Sequence, residues 1–253
     1  MKKGGRWMTL DQLKSDFEFD MMWEAAPRKE LSVTEFEDVL LAVRKAYADM
    51  AMRTINGFSK VNDKDKRELR KNFANKFIDA FCKAEAPLTQ EAFDERHEEV
   101  CDDFLTKLNR LCTDCGVNEP PCYGKAQKIV NMTFKYLYLF EKNEPIQPLF
   151  AFCHMPLDSN IFEYLKKKFK SHGLNVKLFE TAWSKLDAGQ YREIQTAIRK
   201  YCQEYSSDYT NVANVADVAD EYAKLPFYAE FQIWEKMRRE KQEKEKKQAK
   251  EEN

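Results

Sequence analysis

Gly124-Lys-Ala-Gln-Lys-Ile-Val-Asn-Met-Thr-Phe-Lys-Tyr-Leu-Tyr-Leu-Phe140 is apolar on nearly every side, carrying Ile129, Val130, Met132, Phe134, Tyr136, Leu137, Leu139 and Phe140. A helix with no solvent face belongs at the centre of a domain, so other helices must cover it. The flanking sequence supplies them. Behind Ser32 and Glu35, which have capping-box spacing, Phe36, Val39, Leu40, Val43, Tyr47 and Met50 recur at helical intervals, with Gly57 as the expected stop. Asn62 or Asp63 opens a second helix with the stripe Leu69, Phe73, Phe77, Phe81. Beyond Pro87 and Thr89 a third carries Phe93, Val100, Phe104, Leu108 and Leu111. A short helix is expected from Thr9, closed by Ala-Ala-Pro at 25–27.

After the central stretch, a loop over 141–157 contains Pro145, Pro148 and Pro156. A helix then runs from Asp158 or Ser159 to about His172, where Gly173 stops it. Two more are expected near 179–187 and 190–205, and a last one bears Tyr222, Phe227, Phe231 and Trp234. No alternating strand pattern and no repeat interrupts this. The prediction is an all-α globular domain of roughly eight to ten helices over 1–234, with a charged helical tail over 235–253.

Composition agrees. Seven Gly and eight Pro in 253 residues are too few for a many-turned sheet, and 18 Phe with 11 Tyr supply bulky core material. Charge is 42 basic against 43 acidic side chains, which excludes a protein that coats polyanions over its whole surface. No apolar run reaches membrane-spanning length. Asp11, Lys14, Asp16 and Glu18 interrupt the N-terminus, so no signal peptide is expected. Seven cysteines, an odd number, fit reduced thiols and a cytoplasmic location.

Chemistry concentrates between Pro120 and Leu165. Gly124 opens a helix whose N-terminal amides and dipole suit a phosphate. Lys128 and Lys135 lie two turns apart on an otherwise apolar helix, and a buried lysine requires a reason. Burial and a helix N-terminus both favour the neutral amine, the form that attacks a carbonyl or sugar carbon. Asp158 enters the next helix beside Pro156, where a carboxylate can deprotonate that amine or stabilise a cationic transition state.

Gly124-x-x-x-Lys128-x-x-Asn131, followed by Pro156-Leu157-Asp158, resembles the helix–hairpin–helix DNA glycosylase superfamily. The resemblance covers residues 120–165 and implies an all-α, DNA-binding fold that flips a damaged base out of the duplex. It implies Lys128 as the imine-forming nucleophile and Asp158 as the essential carboxylate. Gly124, with Lys125 and Gln127, stands where the family binds phosphate, and Lys135 and His154 complete the substrate-binding set. The archaeal 8-oxoguanine branch is nearest in pattern, with a long lysine-to-aspartate gap and a second lysine like Lys135. Ala126 replaces the second hairpin glycine, and 30 residues separate Lys128 from Asp158. The segment is also similar to uncharacterised bacterial helical proteins with a Gly-x-x-Gln-Lys helix and a His-x-Pro-x-Asp turn.

Plainer roles are available to each residue. Lys125 and Lys128 can snorkel to water, and Lys135 can pair with a carboxylate on a neighbouring helix. Asp158 can serve as an N-cap, and His154 can bond Asp158 within the turn. Cys112, Cys115 and Cys122 put three thiols around one loop, a weak metal candidate that needs Cys153 or His154 as a fourth ligand. Free thiols are the default there, and no cofactor is expected. Lys166, Lys167, Lys168, Lys170 and Lys177 face one acid, Glu163, across 159–177, a local basic face able to hold DNA phosphates. Three readings stay open: a DNA glycosylase or lyase, a non-enzymatic interaction protein of phage or host defence that binds a protein partner through its tail, and a nucleic-acid binder without catalysis.

Overall fold

The computed structural model of the protein describes residues 31–50, 52, 55, 57–85, 89–117, 119–140, 142–209, 222 and 224–251. The helix expected from Thr9 lies outside them. Among the described residues the fold is all-α, and no strand occurs beyond an isolated parallel bridge between Ser32 and Lys142. No helix is long and apolar enough to cross a membrane.

The helices are α1 (Phe36–Asp49), α2 (Asp63–Phe77), α3 (Gln90–Asp114), α4 (Tyr123–Leu137), α5 (Ser159–Ser171), α6 (Ala188–Glu204) and α7 (Pro226–Glu251). α4 is the predicted core helix, and all fifteen of its residues are buried. α1 packs against it most extensively, then α3. Phe134 of α4 meets Phe77 and Phe81 with ring centroids 4.8 Å away in each case, and Phe73 meets Phe104 at 5.2 Å. The three aromatic stripes therefore close into one cluster, in the tilted and edge-on geometries that ring quadrupoles favour.

Helix starts follow the caps in the sequence. Asn62 accepts the Asp65 N–H, Thr89 that of Ala92, and Asp158 that of Ile161. Asp187 and Gln190 form a reciprocal capping box at α6, which therefore begins two residues before the expected 190. Ser32 and Glu35 form no such box: Ser32 is drawn into the bridge with Lys142, and its N–H donates to Asp38 instead. α1 ends at Asp49 and not at Gly57, because a 3-10 turn over Phe58–Lys60 follows and Gly57, with φ +85°, introduces that turn. The expected helix near 179–187 is two short 3-10 turns, Val176–Phe179 and Trp183–Lys185. α3 runs on through Cys112, so the cysteine loop is shorter than expected.

The charged segment expected from 235 continues the last helix. α7 is one helix through to Glu251, Glu235 is buried, and Lys236 donates to the Asp208 carbonyl at 2.5 Å. Aromatic contacts of Phe227 and Phe231 with Tyr138 hold its first turns to the core.

Gly124 shows how tightly α4 is enclosed. A Cβ there would lie 1.9 Å from the Trp183 carbonyl oxygen, and the Gly124 N–H donates to Leu186 at 3.1 Å. Alanine ordinarily favours a helix over glycine by about 1 kcal/mol, but here the obstacle is backbone. Gly124→Ala is expected to destabilise the protein by about 1–3 kcal/mol in urea unfolding. A gain in stability would show that the 183–186 segment does not sit on α4.

Candidate functional site

Three helices turn polar rows into one buried seam. α3 supplies Gln90, Asp94, His97 and Cys101, α4 supplies Gln127 and Asn131, and α6 supplies Tyr191, Gln195 and Arg199. Each row repeats at three or four residues, the spacing of one helix face. The turn over 153–158 enters this seam and leads directly into α5.

At its end Lys128 and Asp158 meet. Lys128 Nζ lies 3.1 Å from Asp158 Oδ2; the lysine side chain is 4% exposed and the aspartate side chain 32%. Asp158 Oδ1 also accepts the Ile161 N–H at 3.0 Å, so one carboxylate caps α5 and pairs with α4. Burial alone would raise the Asp158 carboxyl. The Lys128 ammonium, the Ile161 bond and more distant Lys135 outweigh it and hold the group below its ordinary value. The aspartate is therefore an ionised counter-charge facing a buried lysine.

The polar seam behind the pair has a defined direction. His97 Nε2–H donates to Asn131 Oδ1 at 2.9 Å, and Asn131 Nδ2 donates to Gln127 Oε1 at 2.9 Å and Tyr191 OH at 2.8 Å. Tyr191 OH then donates to His154 Nδ1 at 2.9 Å, leaving His154 Nε2–H to donate to Asp94 at 2.7 Å. Both imidazoles are satisfied as neutral tautomers. Burial pushes His97 well below the ordinary value, His154 acts in the same direction, and Asn131 and Asp94 oppose it. Burial also lowers His154, against the upward pull of Asp94. Burial would raise Asp94, but hydrogen bonds from His154 and Gln90 and the Arg199 guanidinium bring it down to about 2.

The remaining sequence-predicted residues are buried and engaged. Lys125 donates to the Met50 carbonyl at 2.7 Å, capping α1, and lies 5.0 Å from the Trp183 ring centroid; burial lowers its pKa to about 8. Lys135 pairs with Glu230 of α7 at 2.5 Å, both almost fully buried, and burial lowers the lysine against the pull of that carboxylate. Gln127 bonds Gly124 and Leu157, and His154 bonds Asp94 and Tyr191, not Asp158 as a local turn contact would require. The Gly124 N–H is taken by Leu186. As the side chains stand, then, only Asp158 of the predicted set faces solvent to a substantial degree. Two surface hollows, around Leu69 and Leu111 and around Leu178 and Gln190, lie elsewhere.

Among the described residues no group of three or more His, Cys, Asp or Glu is arranged to hold a metal ion. Cys112, Cys115 and Cys122 are free thiols. Of the basic run, Lys166, Lys167, Lys170 and Lys177 are exposed, while Lys168 is half-buried and pairs with Asp208 at 3.2 Å. No protein-family model, curated protein or solved structure matches the chain.

Asp94, His97, Tyr191, Gln195 and Arg199 are absent from the sequence-predicted set. Their signal was the spacing: His97 interrupts the apolar stripe of α3, and Tyr191, Gln195 and Arg199 stand four residues apart.

Two outcomes follow from these charges. A histidine whose folded pKa lies below its unfolded value contributes stability above that value and loses it as pH falls, because the unfolded chain takes up protons that the native one does not. Stability is expected to fall below about pH 6.5, by up to about 1.4 kcal/mol per pH unit for each of His97 and His154. Urea unfolding between about pH 7.5 and 5 checks this, and a flat profile would contradict neutral buried imidazoles. Lys135→Met is expected to cost about 3–5 kcal/mol by leaving Glu230 unpaired, while Lys135→Met with Glu230→Leu recovers most of it. Equal losses in single and double variants would show that the two charges are not coupled.

Proposed function

We propose that the chain acts on DNA in the manner of helix–hairpin–helix glycosylases and lyases, with Lys128 forming an imine at a sugar C1′ and Asp158 stabilising the cationic intermediate. One observation carries the reading: the lysine of the Gly124-x-x-x-Lys128 helix and the aspartate of the Pro156-Leu157-Asp158 turn lie 3.1 Å apart across 30 residues. A carboxylate held ionised is a poor base and a good counter-charge. Asp158 therefore suits electrostatic support of an oxocarbenium or iminium centre more than proton abstraction. On an abasic site, the ring-opened C1′ aldehyde condenses with the Lys128 amine to give the imine and water. Loss of a C2′ proton to water then expels the 3′ phosphate with the C–O bond pair, and hydrolysis of the imine returns the lysine. The ammonium proton leaves to solvent before attack, and substrate approaches from the exposed edge of Asp158. Lys166, Lys167 and Lys170, exposed on α5, the helix that Asp158 caps, are the proposed surface for the phosphate backbone.

A second reading rests on the burial of Lys128. An ammonium only 4% exposed and already bonded to an N-cap carboxylate is also what a structural tie between α4 and α5 requires. In that case the molecule is an interaction protein, and the charged 235–253 segment is the proposed contact for a protein partner.

Borohydride trapping separates the two. Incubating the protein with abasic and 8-oxoguanine duplexes and reducing is expected to give a covalent adduct, at least about 100-fold weaker in Lys128→Gln. No adduct with either duplex, or an undiminished one in Lys128→Gln, would leave the structural tie as the account of the pair.

A further inference from the structure

We propose that Gln127, Asn131, Tyr191 and His154 are positioning residues that hold the 153–158 turn, so that Asp158 meets Lys128 in a single register. This rests on the reading of Lys128 and Asp158 as the reacting pair. Residues 153–158 belong to no helix and no strand pair, so no backbone ladder fixes their conformation. Side chains from two helices do so instead. Gln127 Nε2 donates to the Leu157 carbonyl at 3.2 Å, and the Leu157 N–H faces Gln127 Oε1 at 3.5 Å. Gln195 takes the Met155 N–H at 3.2 Å and donates to the Met155 carbonyl at 2.8 Å.

The arrangement forms two adjacent rungs. Gln127 and Lys128 are consecutive on α4, and Leu157 and Asp158 are consecutive in the turn. Any slip of Leu157 along Gln127 therefore carries Asp158 past Lys128. Gln127 is itself held: its Nε2 also donates to the Gly124 carbonyl at 3.0 Å, and its Oε1 accepts from Asn131 at 2.9 Å. Asn131 is fixed in turn by His97 and Tyr191, and Tyr191 by His154. The titratable and charged groups facing this chain are Asp94, His97 and Cys101 from α3, Tyr123 from α4, and Arg199 from α6. Only Asp94 and Arg199 among them reach the surface in part. A second proton on His154 Nδ1 turns the acceptor of Tyr191 into a donor and leaves the Tyr191 hydroxyl proton without its partner there.

Amide hydrogen exchange on the full-length protein, with α1 as the reporter of global opening, tests this directly. Tyr191→Phe keeps the ring and removes the hydroxyl. It is expected to lower protection across 153–162 by about tenfold or more beyond any change in α1. Gln127→Met, which removes the rung itself, gives the same local loss and serves if Tyr191→Phe weakens the whole fold. In the unsubstituted protein, protection across 153–162 is expected to fall faster than in α1 between about pH 7.5 and about pH 5.5. That difference disappears in His154→Gln, whose amide still donates to Asp94. Where the parent protein traps an abasic duplex, Tyr191→Phe slows trapping about tenfold or more with duplex affinity unchanged. Protection at 153–162 that is unchanged, or that falls only in step with α1, overturns the proposal. Absence of any adduct in the parent protein removes the reaction, while the exchange data still decide whether the turn is held in this way.

Discussion

α4 is buried on every side yet carries Lys125, Gln127, Lys128, Asn131 and Lys135. An unpaired polar group in such a place costs several kcal/mol, and an unpaired charge more. Each of these side chains therefore needs a partner from a different part of the chain, and each has one. Lys125 closes the end of α1, Lys128 meets the start of α5, and Lys135 meets α7. Gln127 and Asn131 join the seam between α3, α6 and the 153–158 turn. Apolar packing gathers the helices, and the polar residues of the core helix determine which element lies at which turn of it.

The same arrangement shapes what the pair can do chemically. Asp158 sits where the interior ends, one oxygen capping α5 and the other on Lys128. Its carboxylate is held below its ordinary value, against burial, by the Lys128 charge, the Ile161 N–H and the more distant Lys135. Lys128 pairs with Asp158 from inside, and the aspartate is the more exposed of the two. The polar seam lies behind the pair and reaches the surface in part only at Asp94 and Arg199.

Much of this was legible in the sequence, for identifiable reasons. The absence of a solvent face between Gly124 and Phe140 marks the core helix, because no other environment tolerates that pattern. Asn62 and Asp158 mark helix starts because their side chains satisfy free amides locally, whereas Asp187, expected at the end of a helix, caps the start of α6 instead. Lys128 and Asp158 stood out because each is chemically unusual where it lies. Ser32 and Glu35 misled because a long-range bridge to Lys142 competed with a local cap. The phosphate seat expected at Gly124 depended on an open helix end, and only tertiary contacts reveal that residues 183–186 cover it. His97, Asn131, Tyr191 and His154 form a network across separations of 34, 37 and 60 residues, which no local spacing encodes. The sequence holds the polar stripe on each helix but not the fact that three stripes converge.

The central claim is that a lysine enclosed by the fold, and no surface lysine, is the reactive amine. Peptide mapping by mass spectrometry of the protein reduced with borohydride on an abasic duplex tests it most directly. The account predicts that the sugar-derived mass falls on the peptide containing Lys128. Adducts on the exposed Lys166, Lys167 or Lys170, or no modified peptide, would contradict it.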